Sequence, residues 1–266
     1  MAKYKCKVCG YIHEGNKAPD VCPVCGVPAS EFEEIKEAAA GKKGLDRDSN
    51  VYTVVYASVM VVLVAVVLAF TSQSLRTFQQ KNEDNDKRQQ ILRSINVSVQ
   101  PNEAEAKYSE LIKESFLVNE NGEKVEGDAF TATPDQHPVF VANVDGKNKY
   151  IMALSGAGLW GPLWGYLSVD NDKNTIFGTD FSHAGETPGL GAEIATPQFQ
   201  GEFTGKKTLE NGEVVLGVVK NGKVEKPNYQ VDGISGGTIT SVGVDAMLKA
   251  CLSSYKNFLT NNNEEE

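Results

Sequence analysis

Residue types able to do chemistry concentrate in two places. Four of the five cysteines fall in the first 25 residues as two pairs, Cys6-Lys-Val-Cys9 and Cys22-Pro-Val-Cys25, each followed by glycine. Twelve residues separate the pairs, a distance at which two knuckles can converge four sulfurs on one tetrahedral ion. Gly10 and Gly26 let the backbone turn tightly so that its N–H groups point at the thiolates. Zinc and a single iron both accept four thiolates, and two disulfides are the competing use of the same residues. The second place runs from Asp232 through Ser235, Gly236, Gly237, Thr238 and Thr240 to Ser241, directly into the last helix. A small-residue loop at a helix N-terminus offers backbone N–H groups, hydroxyls and a favourable dipole to an anion such as phosphate. Simple capping of that helix by Thr240 or Ser241 would use the same residues.

The elements that position these groups divide the 266 residues into parts. Overall composition, 41% hydrophobic and 23% charged, is that of a globular protein and excludes collagen-like, disordered or disulfide-dense chains. Residues 49–75 hold no Asp, Glu, Lys or Arg. A bilayer core of roughly 30 Å needs about 20 apolar helical residues, which 52–71 supply. The run lies too far from the N-terminus for a cleaved signal peptide. The expected order is a metal domain at 1–35, a linker at 36–48, a transmembrane helix at 49–75, a helical connector at 76–107 and a large domain at 108–266. The first 48 residues carry eight charges of each sign, so the net charge of −9 lies beyond the anchor. An acidic domain of that kind argues against nucleic acid as a partner. Lys42, Lys43 and Arg47 before the anchor outnumber Arg76 and Lys81 after it, which orients the N-terminus inside. A reducing cytosol then favours a metal site over disulfides.

Residues 3–35, with Tyr4, both knuckles, Tyr11 and Phe32, resemble the rubredoxin-like domain at the end of rubrerythrins. That resemblance implies redox-active iron at Cys6, Cys9, Cys22 and Cys25, with a zinc ribbon as the alternative. So few apolar residues accompany the cysteines that the segment is expected to depend on its ion for folding.

Beyond about residue 108 the pattern becomes short alternating runs broken by Asn121-Gly122, Asp145-Gly146, Asn211-Gly212 and Asn221-Gly222, each read as a hairpin turn. Residues 213–220 read as one strand. A closing helix over 242–259 repeats apolar residues at helical spacing, with Cys251 on its apolar face as a buried core thiol. The fold class is therefore α+β, with an antiparallel sheet and helices. The glycines at 156, 158 and 161 match a dinucleotide fingerprint by letter, but Pro162 and a strand follow where a helix is needed. No cluster of His13, His137 and His183 supports hydrolytic chemistry, and the anchor holds no Asp, Glu, Lys, Arg or His.

Three stretches together carry a second resemblance: residues 158–166 (GLWGPLWGY), 183–191 (HAGETPGLG) and 232–241 (DGISGGTITS). They are similar to the FMN-binding domain of the NqrC family, which belongs to the sodium-translocating NADH:quinone oxidoreductases, and more distantly to its counterpart in the Rnf complex. The resemblance implies FMN joined by a phosphoester to Thr238, attached by a separate flavin transferase that uses FAD. Asp232 and Ser235 match the family motif, while Gly237 stands where alanine is usual. Glu186, Thr187, Gly189, Leu190 and Gly191 are similar to the segment lying against the flavin ring, Leu190 covering a ring face, with Trp160 or Trp164 packed nearby. It further implies one-electron transfer toward quinone, neighbouring subunits of the complex as partners, and a bacterial inner-membrane location with the FMN domain on the periplasmic side. The metal domain is an addition to the family's usual form. The other readings are an Rnf-type carrier and a membrane-anchored zinc-ribbon sensor.

Overall fold

The structure, a computed structural model, describes residues 2–35 and 49–261. The linker expected at 36–48 lies outside the described residues. The chain divides into two compact units, Met1–Ser74 and Leu75–Glu266.

The first unit holds strands β1 (Ala2–Cys6), β2 (Ile12–Gly15) and β3 (Phe32–Ile35) in an antiparallel sheet of order β2-β1-β3. Within residues 2–35 the buried apolar side chains are Cys6 and Cys22, while Val8, Ile12, Val21, Val24 and Ile35 are exposed. With no apolar core, this sheet relies on what its sulfurs bind. Helix α1 runs without a break over Asn50–Ser94. Its most apolar stretch has a mean hydropathy of 2.7 with nothing buried, and it is long and apolar enough to cross a membrane. Val, Leu, Met and Phe stand exposed on every face from Val51 to Phe70, which water would penalise by roughly 25 cal/mol per Å² and lipid would not.

In the second unit the end of α1 turns at Ile95 and Asn96 and leads to α2 (Ala104–Leu111). Residues 76–107 thus hold the end of α1 and the start of α2, and the first strand of the sheet begins at Ile112. Then follow β4 (Ile112–Val118), β5 (Lys124–Val125), β6 (Pro138–Val144), β7 (Lys147–Ala157), β8 (Pro162–Val169) and β9 (Ile176–His183). They form one antiparallel sheet of order β5-β4-β6-β7-β8-β9. Helix α3 (Pro197–Gly201), short strands β10 (Leu209–Glu210), β11 (Glu213–Val214), β12 (Gly217–Val219) and β13 (Gln230–Asp232), and helix α4 (Thr238–Thr260) complete the chain.

Alternation along the strands feeds two cores. Val139, Val141, Met152, Leu154, Leu163 and Leu167 point to one face, where Val244, Met247, Leu248, Leu252 and Tyr255 of α4 cover them. Phe140, Ala142, Ile151, Ala153 and Tyr166 point to the other, against Ile91, Leu92 and Ile95. Because both faces are buried, the central strands read as nearly continuous apolar runs. The end of α1 is also tied by polar contacts: Arg93 donates twice to Asp180 on β9, at 2.8 and 3.1 Å. The Ser168 hydroxyl donates to the Ser94 carbonyl at 2.6 Å. Burial raises the Asp180 carboxyl above its ordinary value despite the opposing pull of Arg93.

Two expectations are corrected. Residues 213–220 split into β11 and β12. Asn221-Gly222 does not close a hairpin, because β12 pairs with β13 in parallel. The Asn221 side chain donates to the Gly233 carbonyl at 2.9 Å and the Gly222 N–H to Asp232 at 2.7 Å, so the turn is tied to the end of β13 instead of opening a return strand.

Candidate functional sites

The Sγ atoms of Cys6, Cys9, Cys22 and Cys25 all lie within 4.8 Å of one another. Cys6 to Cys25 and Cys9 to Cys22 are each 3.6 Å. A tetrahedral ion with bonds of about 2.3 Å needs sulfur edges of about 3.8 Å, so the donor set fits a metal. None of the five cysteines is joined in a disulfide. Each knuckle closes with a glycine N–H on the first cysteine carbonyl, Gly10 on Cys6 at 2.9 Å and Gly26 on Cys22 at 3.0 Å. Both glycines have positive φ, +78° and +72°. The Cys9 N–H is the main influence lowering the Cys6 thiol. For Cys22 burial pushes upward, but the N–H groups of Cys25 and Val24 bring the thiol down to about 7. The Tyr11 N–H pulls Cys9 down but burial and the neighbouring thiols leave it raised, and burial pushes Cys25 up to about 12, so without an ion the knuckles favour the thiolate at the first cysteine of each pair. Cys6 and Cys22 are buried, while Cys9 and Cys25 face outward.

The second site is assembled at the start of α4. Gly237 is the cap residue and Thr238 the first helical residue, so the helix begins four residues before the expected 242. The exposed Thr238 hydroxyl has no hydrogen-bond partner among the described residues. Ser235 and Gly236 are likewise exposed. Thr240 and Ser241 are buried and neither caps the helix. The Ser241 hydroxyl donates to the Gly237 carbonyl and accepts from the Ile234 N–H, each at 2.9 Å, clasping the loop from within. Thr240 donates to the Glu186 carboxylate at 2.6 Å.

Residues 158–161 are the tight turn between β7 and β8, with the Gly158 N–H on the Gly161 carbonyl at 2.8 Å. This disposes of the dinucleotide fingerprint. The Trp160 N–H donates to the other Glu186 oxygen at 2.9 Å. Gly191 lies so close to Glu186 and Thr240 that any side chain there would collide with both. Leu190, half exposed, rests against the threonine loop: a methyl added at Gly236 would lie 2.7 Å from it. An alanine at Gly237 would sit 3.1 Å from Ile234 and 3.3 Å from Leu190, close enough to need a small adjustment. Thr187 and Gly189 are exposed.

The tryptophans part company. Trp160 is exposed beside Glu186, whereas Trp164 faces the α1 side of the sheet and donates to Gln90 at 3.2 Å. Asp232 does not reach Thr238; its carboxylate accepts from Gly222. Cys251 is half-buried, its thiol on the Ser155 carbonyl at 3.4 Å and raised chiefly by burial.

Lys220 and Asn221, read from sequence only as part of a strand and a turn, line a cavity of about 50 Å³ with Val219, Ile234, Thr238 and Val242. That volume takes a few atoms, not a ring system. Leu159, Leu190, Ile239 and Val242 are exposed apolar residues of the same loops and first turn. Ile239 and Val242 were detectable: they fall off the apolar stripe that begins at Val244, so no core needs them. Lys220 and Asn221 gave no such signal.

Comparison with known proteins matches the two regions that carry these sites. The family "FMN-binding domain" matches residues 158–253, and "Rubrerythrin, rubredoxin-like domain" matches 4–33. The crystal structure of the NqrC-type protein of Na(+)-translocating NADH-quinone reductase from Parabacteroides distasonis is 67% identical with a TM-score of 0.69, covering 71% of this chain and 98% of that one. NqrC of Shewanella oneidensis is 25% identical with a TM-score of 0.59, over 66% and 96%. The corresponding protein of Chlamydia caviae is 41% identical over 125 residues, 41% of this chain, and the match spans only 39% of that relative's length.

Proposed function

The chain belongs to the NqrC family of Na(+)-translocating NADH-quinone reductases, and from that premise we propose that it is the electron-carrying member of such a complex, holding FMN through a phosphoester on Thr238. The observation that carries this reading is the Thr238 hydroxyl, exposed and unpartnered at the first position of α4 while its neighbours Thr240 and Ser241 are spent inside the fold. FMN, when bound, supplies reversible one-electron chemistry that no side chain here offers. Attachment from FAD forms a bond between Thr238 Oγ and phosphorus, breaks the phosphoanhydride and releases AMP and the hydroxyl proton, the work of a separate flavin transferase.

The remaining residues hold and shield. The N-terminus of α4 directs its free N–H groups and dipole toward a phosphate on Thr238. Leu159, Trp160, Leu190, Ile239 and Val242 offer an apolar surface to a flat ring. A covalent tether retains a cofactor that stands open to solvent and to partner proteins. Those partners are the other subunits of the complex, which pass single electrons to this chain and on toward quinone.

The four-cysteine centre binds iron in this proposal, with zinc as the alternative. The anchor crosses the bacterial inner membrane once, with the metal domain cytoplasmic and the FMN domain periplasmic, following the charges that flank it. A hydrocarbon core of ~30 Å then excludes direct transfer between the two centres, and neighbouring subunits must bridge them.

The test is in-gel flavin fluorescence of the denatured full chain co-expressed with the transferase. Fluorescence that survives denaturation in the wild type and vanishes in Thr238→Ala is expected. Its persistence in the variant would move the attachment elsewhere. Metal analysis and the visible spectrum of the purified chain separate iron from zinc.

A further inference from the structure

Glu186 is 4% exposed, yet no lysine, arginine or histidine side chain forms an ion pair with it among the described residues. Its oxygens instead collect donors from two other segments: the Thr240 hydroxyl at 2.6 Å on one, the Trp160 N–H at 2.9 Å on the other, with the Leu159 N–H also directed at it. A backbone N–H can only donate, which fixes one oxygen as an acceptor, and the Thr240 hydroxyl as oriented donates to the other, a set that an ionised carboxylate accepts on both oxygens. Burial opposes ionisation, but the Thr240 hydroxyl and these N–H groups hold the carboxyl below its ordinary value. The backbone N–H of Glu186 donates to His183 Nδ1 at 3.2 Å, which anchors the residue at its own end of the loop.

We propose that Glu186 is the positioning residue of the flavin site: as a buried anion it locks the first turn of α4 to the 158–161 turn, holding Thr238 outward for attachment and keeping a fixed negative charge close to the attachment point. This rests on the Thr238 reading and deepens it. The contacts of Glu186 are with the frame of the site, Thr240 and the Trp160 backbone. Thr240 is two residues from Thr238 in the same helical turn, so releasing it frees the turn that presents the hydroxyl. The charge disfavours adding an electron nearby, because the surrounding protein screens it far less than water would.

The experiment uses the full chain in detergent, co-expressed with the transferase, and reads the time course of covalent fluorescence and the flavin midpoint potential. Misplacing an attacking group by an ångström costs on the order of a hundredfold, so Glu186→Ala and Thr240→Val should slow attachment by at least about tenfold. The double variant should be no slower than the slower single one, and Thr240→Ser should restore the wild-type rate. Glu186→Gln keeps the shape, since the amide oxygen can accept from the backbone while its NH2 donates to a rotated Thr240 hydroxyl. It should accumulate flavin with a potential shifted positive, a change that lost packing alone does not predict. The proposal is overturned if Glu186→Gln has the wild-type potential, or if Glu186→Ala and Thr240→Val label at the wild-type rate. Should Glu186→Ala fail to fold, the Glu186→Gln potential and the Thr240→Val rate decide the matter. A wild-type chain without covalent fluorescence would overturn the Thr238 reading itself and this proposal with it.

Discussion

The two sites are built on opposite principles. The metal centre is local: four ligands from 20 residues of chain, Cys6 to Cys25, on two knuckles each closed by its own glycine. The proposed flavin site is distributed, with the 158–161 turn, the 186–191 loop and the first turn of α4 meeting at one buried carboxylate. Each is stabilised accordingly. Residues 2–35 bury no apolar side chain apart from cysteines, so the ion serves as their core. The loops of the second site ride on a sheet covered on both faces by apolar packing.

The largest expected effect follows from that contrast. Structural zinc supplies about 10–16 kcal/mol in small four-ligand sites, so stripping the metal should abolish the fold of residues 2–35 and leave the sheet domain intact. Hydrogen exchange with and without a strong chelator reads both regions in one sample. Retained amide protection in 2–35 after metal removal would break the comparison.

A smaller effect probes the distributed side. Arg93→Ala leaves Asp180 buried without its partner; because the Arg93 side chain is 41% exposed, the cost should lie between the ~1 kcal/mol of a surface pair and the ~3 kcal/mol of a fully buried one. Urea denaturation of the sheet domain should register that loss without any change in metal content. An unchanged midpoint would mean that apolar packing alone fastens the end of α1.

The smallest effect is a pH dependence at the flavin loops. The folded Glu186 carboxyl lies below its ordinary value, so its contribution is complete above the unfolded value of about 4.3 and is lost as pH falls through the folded one. Glu186→Gln should therefore be less stable than the wild type at pH 7, with the gap closing in acid. A gap that stays constant down to pH 2 would contradict an ionised Glu186.

Legibility in the sequence follows the same division. The knuckles were readable because ligand spacing is covalent and tetrahedral geometry demands little else. Asp145-Gly146 and Asn211-Gly212 were readable because both residues of each pair adopt positive φ, as a tight hairpin requires. Asn221-Gly222 looked the same in sequence but serves a parallel pair, since hydrogen bonds to Asp232 and Gly233 ten to twelve residues away decide where the chain goes. The apolar stripe of α4 was legible from Val244 onward; its true start was not, because small and hydroxyl residues favour loops as readily as first turns.

The amino-acid sequence by itself determined which groups are present and which lie within covalent reach: the four thiolates, the charge-free anchor, and a run of hydroxyls ahead of an amphipathic helix. Only the tertiary structure decided the task of each hydroxyl. In a helix successive residues point about 100° apart, so when α4 lays Val244 and Met247 on the sheet, Thr240 and Ser241 turn inward to Glu186 and the loop backbone. Thr238 is left facing out. That assignment depends on packing between segments more than 50 residues apart, and no local spacing encodes it.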